Sequence, residues 1–184
     1  MERRDVEIMA PVGSYESLMA AIQGGAGSVY FGVEHLNMRS RSANNFTLED
    51  LKKIVEIASE NEVKTYLTLN VEIFDGEIEL MHEVVSAAKN AGVSAVIAAD
   101  VSVIQSARSI GLEVHISTQV NITNIEAVKF YSNFADVVVL AREMNLGRVW
   151  EISDQIKKDQ VKGPGSELMR LEMFVHGALF MATS

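Results

Sequence analysis

The stretch Ala95-Val96-Ile97-Ala98-Ala99-Asp100, followed by residues 101–110 and then Gly111-Leu112-Glu113-Val114-His115-Ile116-Ser117, decides the fold. Its first segment is apolar on both alternating faces, as a strand covered on both sides must be. Asp100 stands where an N-cap belongs, and an amphipathic helical pattern follows it. Gly111 supplies the left-handed conformation that ends such a helix, and a second β-branched run begins at once. Strand, helix and strand in so short a span make a parallel pair joined by a right-handed crossover.

The same unit repeats outward in both directions. Strands are expected at about 6–10, 28–32, 64–69, 94–99, 112–117, 136–141 and 171–176. Helices are expected between them at about 14–24, 47–61, 76–91, 101–110, 123–133 and 145–158. Thr123 with Glu126 fits a capping box, and Thr47 with Asp50 fits one more loosely. Ser14, Asp75 and Asn145 sit at further N-cap positions, and Gly92 at a C-cap. Val137-Val138-Val139-Leu140 is again apolar on both faces. Gly24-Gly25-Ala26-Gly27 follows a helix and precedes a strand, the wrong order for phosphate binding, and reads as a cap and turn.

Seven such strands are one short of the eight that close the common (β/α) barrel, which takes about 250 residues. The expected fold is therefore α/β, with TIM-barrel-like parallel repeats that are incomplete, in one domain over residues 1–184 that is open or truncated after its seventh strand. Unpaired sheet edges would face water, so a second copy of the chain is an expected cover. Two segments break the rhythm. Residues 33–46 form a polar loop, and residues 159–170, with Gly163-Pro164-Gly165-Ser166, read as a flexible surface excursion.

Bulk properties narrow the chemistry. The chain is 48% hydrophobic and 22% charged, as in a folded globular domain. Its net charge of -9 opposes binding of phosphate backbones by this chain alone. With no cysteines, disulfides, thiolate nucleophiles and cysteine-held metal sites are excluded. The amino-terminal segment lacks the pattern of a signal peptide, and no stretch is long and apolar enough to span a bilayer, so the expected compartment is the cytoplasm.

In parallel α/β folds the working residues lie at the carboxyl ends of strands. Arg39 and Arg41 alternate on an extended loop and suit a carboxylate or phosphate, or else form a solvated polar loop. Asn70 closes the third strand. Gln119 and Asn121 also alternate and offer amide donors and acceptors, or serve with Thr123 to cap the next helix. Arg142 and Glu143 follow a wholly apolar strand, either as substrate-holding and acid/base groups or as an ion pair. His176 is a base or metal ligand, or a satisfied structural histidine; His35, His115 and His176 have no spacing that specifies a metal site. His82 lies mid-helix and is expected to face solvent. No GxSxG elbow, P-loop or GxGxxG motif is present.

Taken together, several blocks resemble one family. They are Met9-Ala10-Pro11-Val12-Gly13-Ser14, Gly25-Ala26-Gly27-Ser28-Val29-Tyr30-Phe31-Gly32 and Met38-Arg39-Ser40-Arg41-Ser42-Ala43-Asn44-Asn45-Phe46. They continue in Tyr66-Leu67-Thr68-Leu69-Asn70, Ile116-Ser117-Thr118-Gln119-Val120-Asn121, Val139-Leu140-Ala141-Arg142-Glu143 and Phe174-Val175-His176-Gly177-Ala178-Leu179. This set resembles the amino-terminal catalytic-domain region of the collagenase-like peptidases, class U number thirty-two. The resemblance implies a barrel-like catalytic domain and peptidase chemistry on a peptide. It also implies kinship with hydroxylases of RNA bases or a quinone precursor, some of which hold an iron–sulfur cluster through cysteines. The family signature places a cysteine where this chain has Phe180 and a serine where it has Ser184. No cofactor or metal is therefore expected. The site expected from these readings has Glu143, Arg142 and His176 in catalysis and Arg39, Arg41, Asn70, Gln119 and Asn121 binding the substrate. One alternative is a module that binds a small anion or other ligand without catalysis, and another is a relative of the RNA- or quinone-precursor-hydroxylating iron–sulfur proteins that lacks the cluster cysteines.

Overall fold

The computed structural model of the chain describes residues 6–33 and 46–175. They belong to two compact units, Met1–Ser117 and Thr118–Ser184.

In the first unit the order is β1 (Met9–Pro11), α1 (Tyr15–Gln23), β2 (Ser28–Phe31), α2 (Asp50–Glu60), β3 (Lys64–Leu69), α3 (Ile78–Ala91), β4 (Ala95–Ala98), α4 (Val101–Ser109) and β5 (Glu113–Ile116). Each strand pairs in parallel with the next, as helix crossovers require. One sheet face carries Val29, Phe31, Leu67, Leu69, Val96, Ala98, Val114 and Ile116, all buried. Sealing each large side chain of this set contributes about 1.5–3 kcal/mol. On the other face Tyr66, Ala95 and Ile97 form a cluster with Met9 and Tyr30 against it. The register sets Pro11, Tyr30, Tyr66, Ala95 and Glu113 side by side across the five strands, with Met9 and Ile97 two residues along their own strands on the same face. This second face is partly polar. The Tyr66 hydroxyl donates to Glu7 (2.6 Å), Lys64 donates to the same carboxylate (2.7 Å), and the Tyr66 ring packs 4.6 Å from His115.

Local chemistry sets the helix boundaries. Ser14 Oγ accepts from the Ser17 amide, and Ser17 Oγ accepts from the Ser14 amide, a reciprocal box that starts α1. Asp50 Oδ2 accepts from both the amide (2.8 Å) and hydroxyl (2.9 Å) of Thr47, the back-reaching half of such a box. Gly92, at φ 86°, closes α3 in the left-handed region that a side chain would resist. Asp75 does not cap α3. It begins a 3-10 turn, Asp75–Glu77, in which the Glu77 carboxylate accepts from the Phe74 amide (3.0 Å) and delays the α-helix to Ile78. His82 is exposed as expected, and its Nδ1 also lies 2.9 Å from Ser106 Oγ, tying α3 to α4.

The second unit contains α5 (Ile125–Tyr131), β6 (Val137–Val139), α6 (Leu146–Asp159) and β7 (Arg170–Glu172), with β6 and β7 parallel. The start of α5 corrects the sequence reading. Asn124, not Thr123, is the N-cap, its Oδ1 accepting from the Ala127 amide (3.0 Å). Thr123 with Glu126 had the box spacing, but the extended residue is the next one along. The segment 159–170 is not a loose excursion either. Lys162 and Leu168 form an antiparallel bridge, and Asp136 Oδ1 accepts from the Gly165 amide (2.7 Å). Glycine is required at 163, because a Cβ there would sit 2.9 Å from the Ala135 oxygen and nearer still to Asp136. Among the described residues no helix is long and apolar enough to cross a membrane.

Candidate functional site

The carboxyl edge of the second unit gathers four of the expected site residues. β6 is wholly buried, and its ladder runs on past the strand: the Leu140 amide donates to the Glu172 oxygen (2.9 Å) and the Ala141 amide to the Ile122 oxygen (2.9 Å). Those two bonds point to opposite sides, so the segment leading to Arg142 is held from both. On one side stands the loop that carries Gln119 and Asn121. Ile122 bridges Leu140 in parallel, and Thr118 Oγ1 donates to the Leu140 oxygen (3.3 Å). On the other side stands β7, two residues before Phe174.

Gln119 and Asn121 reach this edge by a route different from the expected alternation. Thr118–Val120 is a 3-10 turn, and Asn121 follows at φ 58°, in the left-handed region. Asparagine tolerates that conformation better than most side chains. Both residues are exposed, and neither caps α5.

Arg142 and Glu143 are exposed immediately beyond the buried Leu140 and Ala141. The Arg142 guanidinium lies over the Phe174 ring, 4.9 Å from its centroid. The register makes this contact: Val139 is opposite Glu172, so the two strand ends deliver Arg142 and Phe174 to neighbouring positions. Phe174 was not singled out in the sequence, where it reads as part of the last strand; counting forward from a Val139–Glu172 register would have found it. Met144 then turns inward, and Asn145 Oδ1 accepts from the Arg148 amide (3.0 Å) to start α6.

In the first unit, Asn70 follows β3 and is half-buried. Nearby in sequence order, the strand end after β4 is occupied by a structural carboxylate. Burial opposes charge on Asp100, but donors from Ser102, Ile73 and Val103 outweigh it and hold its pKa below the usual carboxylate range. Asp100 Oδ1 accepts from the Ser102 hydroxyl (2.6 Å) and amide (2.8 Å), so it is committed to capping α4. His115 is buried in β5 with Nε2 3.0 Å from Glu113 Oε1, a tie along one strand face. Among the described residues no cluster of histidines and carboxylates suits a metal ion. Arg39, Arg41, His176, Phe180, Ser184 and His35 lie outside the described residues.

A cavity of about 400 Å³ lies between the start of α5 and the outer turns of α6, lined by Thr123, Asn124, Arg148, Glu151 and Gln155 among others. It is open and contains none of the strand-end groups.

The fold and this strand-end edge define an α/β protein of TIM-barrel-like type, with seven parallel strands among the described residues. A solved tryptophan synthase α subunit from Legionella pneumophila shares the fold, with TM-score 0.58 at 18% identity, over 92% of this chain and 72% of that one. The solved U32 peptidase Mk0906 superposes with TM-score 0.66 at 14% identity, over 82% of this chain and 65% of that one. The family model of peptidase family U32 matches residues 13–184, and the chain belongs to that family. A collagenase of Porphyromonas gingivalis is 60% identical over 184 residues, which are all of this chain and 44% of that protein. The tRNA hydroxylation protein P1 of Bacillus subtilis is 32% identical over 181 residues, 97% of this chain and 40% of that protein. The chain thus spans less than half the length of these curated relatives.

Proposed function

We propose that the chain forms part of a peptidase whose working edge includes the loop after β5 and the ends of β6 and β7. The observation that carries this reading is the 60% identity to a collagenase along every residue of the chain. In the reaction, water adds to the peptide carbonyl carbon while the Glu143 carboxylate takes its proton. Arg142 stabilises the oxyanion that forms. The proton then passes to the departing amide nitrogen as the C–N bond breaks. Gln119 and Asn121 present amides to the peptide backbone, and His176, Arg39, Arg41 and Asn70 remain assignments from the sequence. A cytoplasmic location belongs to the same proposal.

The test is mass spectrometry of denatured-collagen peptides incubated with the protein in ¹⁸O-water. New carboxyl termini carrying the label are expected, and Glu143→Gln should slow their formation by about 100-fold or more. Equal rates for both proteins remove Glu143 from the mechanism, and an absence of cleavage by either defeats the reading.

A second reading, hydroxylation of RNA, is favoured by the relatives named for tRNA hydroxylation. The net charge of -9 works against a polyanionic partner. Nucleoside mass spectrometry of tRNA and rRNA from cells with and without the protein decides it. A hydroxylated base that depends on the protein, without peptide cleavage, would replace the first reading.

A further inference from the structure

We infer that the cavity between α5 and α6 is a binding site for a free α-amino acid with an apolar side chain, its carboxylate held by Arg148 and its ammonium by Glu151. The inference stands apart from the peptidase reading and uses the second unit alone. The cavity measures about 400 Å³, within the roughly 300–1,000 Å³ of small-molecule sites. Arg148, Glu151, Ile152 and Gln155 have the spacing of one helical stripe, so α6 supplies one wall. Thr123 and Ile125, at the start of α5, supply the other. The two helices are tied beyond the cavity, where Lys129 of α5 meets Asp159 of α6 at 2.7 Å.

Charge is what singles this cavity out. Farther along α6, Lys158 neutralises Asp154 at 2.6 Å, and Gln155 donates to Asp159 at 2.8 Å, which engages its amide nitrogen in the wall. Arg148 and Glu151 stand one turn apart on the same stripe, yet among the described residues no ion pair joins them to each other or to another group. A cation and an anion kept apart on one wall match a ligand that carries both charges on neighbouring atoms. An α-amino acid does so. Its carboxylate accepts two parallel hydrogen bonds from a guanidinium, and its ammonium donates to a carboxylate. Buried Ile152 and half-buried Ile125 give the cavity an apolar floor for an aliphatic side chain. A zwitterion has no net charge, so the acidity of the chain, -9 overall, does not repel it as it would an anion. A long peptide carries its ammonium and carboxylate at opposite ends and cannot satisfy both groups at once.

The experiment follows the backbone amide signals of the full chain by NMR as leucine is added. Saturable shifts are expected at Thr123–Ile125 and Arg148–Gln155. Leucine amide lacks the carboxylate and N-acetyl-leucine lacks the ammonium, and each should bind about 10-fold more weakly, the loss of one charged hydrogen-bonded contact. Glycine, without the side chain, should also bind about 10-fold more weakly. Arg148→Gln and Glu151→Gln should each weaken leucine about 10-fold. Arg148→Gln should not weaken leucine amide further, and Glu151→Gln should not weaken N-acetyl-leucine further, because the contact each variant removes is already missing from that probe. Both positions are exposed and glutamine is a good helix former, so the variants keep the helix, and their own backbone spectra report it. No saturable shift with leucine, shifts away from the cavity, equal affinity for leucine and its amide, or unchanged affinity in either variant overturns the inference.

Discussion

Replacing Gly163 by alanine should unfold the protein well below its normal midpoint, although the residue lies in what reads as a surface loop. A Cβ at 163 would stand 2.8 Å from Asp136 Cα and 2.9 Å from the Ala135 oxygen, both backbone atoms, and closer still to Asp136 Oδ1. No rotamer relieves a clash with backbone, so the turn must move. Overpacking of this kind costs roughly 1–3 kcal/mol. The movement also strains two hydrogen bonds, Gly163 amide to the Glu167 oxygen (3.0 Å) and Gly165 amide to Asp136 Oδ1 (2.7 Å). Their loss adds about 1 kcal/mol each at most. A total of about 1–5 kcal/mol corresponds to a fall in Tm of roughly 2–20 °C for a chain of this size. Thermal unfolding followed by circular dichroism reads this directly. Gly76, with nothing within 4 Å of its added Cβ, is the neutral control. Gly25, also uncrowded but at φ 81°, should lose only the left-handed penalty of about 1 kcal/mol on becoming alanine. If Gly163→Ala melts with the Gly76→Ala control, close approach is not what position 163 requires and the pinned turn is wrong.

Asn124→Ala should cost about 1 kcal/mol and Thr123→Ala much less, measured by urea denaturation, because only Asn124 caps α5; the opposite order would restore the Thr123 box. The hydrogen bond from Tyr15, followed by those from Thr47, holds the Asp50 carboxyl below the usual range despite burial. A depressed folded pKa gives stability above the unfolded value that is lost as pH falls through the folded one. Asp50→Asn should therefore flatten the acid limb of the stability profile, and an unchanged limb would contradict this. Burial and then the Asp50 carboxylate raise the Tyr15 phenol to about 12. Its contribution is present below the unfolded value and declines as pH climbs toward the folded one. An ultraviolet titration should show a late tyrosine step that Tyr15→Phe removes.

The repeating architecture was legible because each unit carries its own signals. Ala95–Ala98 and Val137–Val139 are buried throughout, as their two-sided apolar character demands. Asp100, Ser14 and Asn145 cap their helices through the side-chain oxygens that recommended them. What escaped was local competition between neighbouring candidates. Thr123 and Asn124 are both good caps, and only the backbone path out of the Thr118–Val120 turn selects between them. Gly163-Pro164-Gly165-Ser166 has the composition of a flexible loop, yet Asp136, far away in sequence, converts it to a fixed turn. The candidate site was half legible. Strand ends pointed to Arg142, Glu143, Gln119 and Asn121, whereas the Phe174 contact depends on a register that no single segment encodes.

The most direct test is a map of backbone amide shifts as a collagen-derived peptide is titrated into the protein. A working site at the strand ends gives saturable changes confined to Thr118–Ile122, Leu140–Glu143 and Phe174–Val175. Changes concentrated instead on Thr123–Ile125 and Arg148–Gln155, around the cavity between α5 and α6, would contradict it.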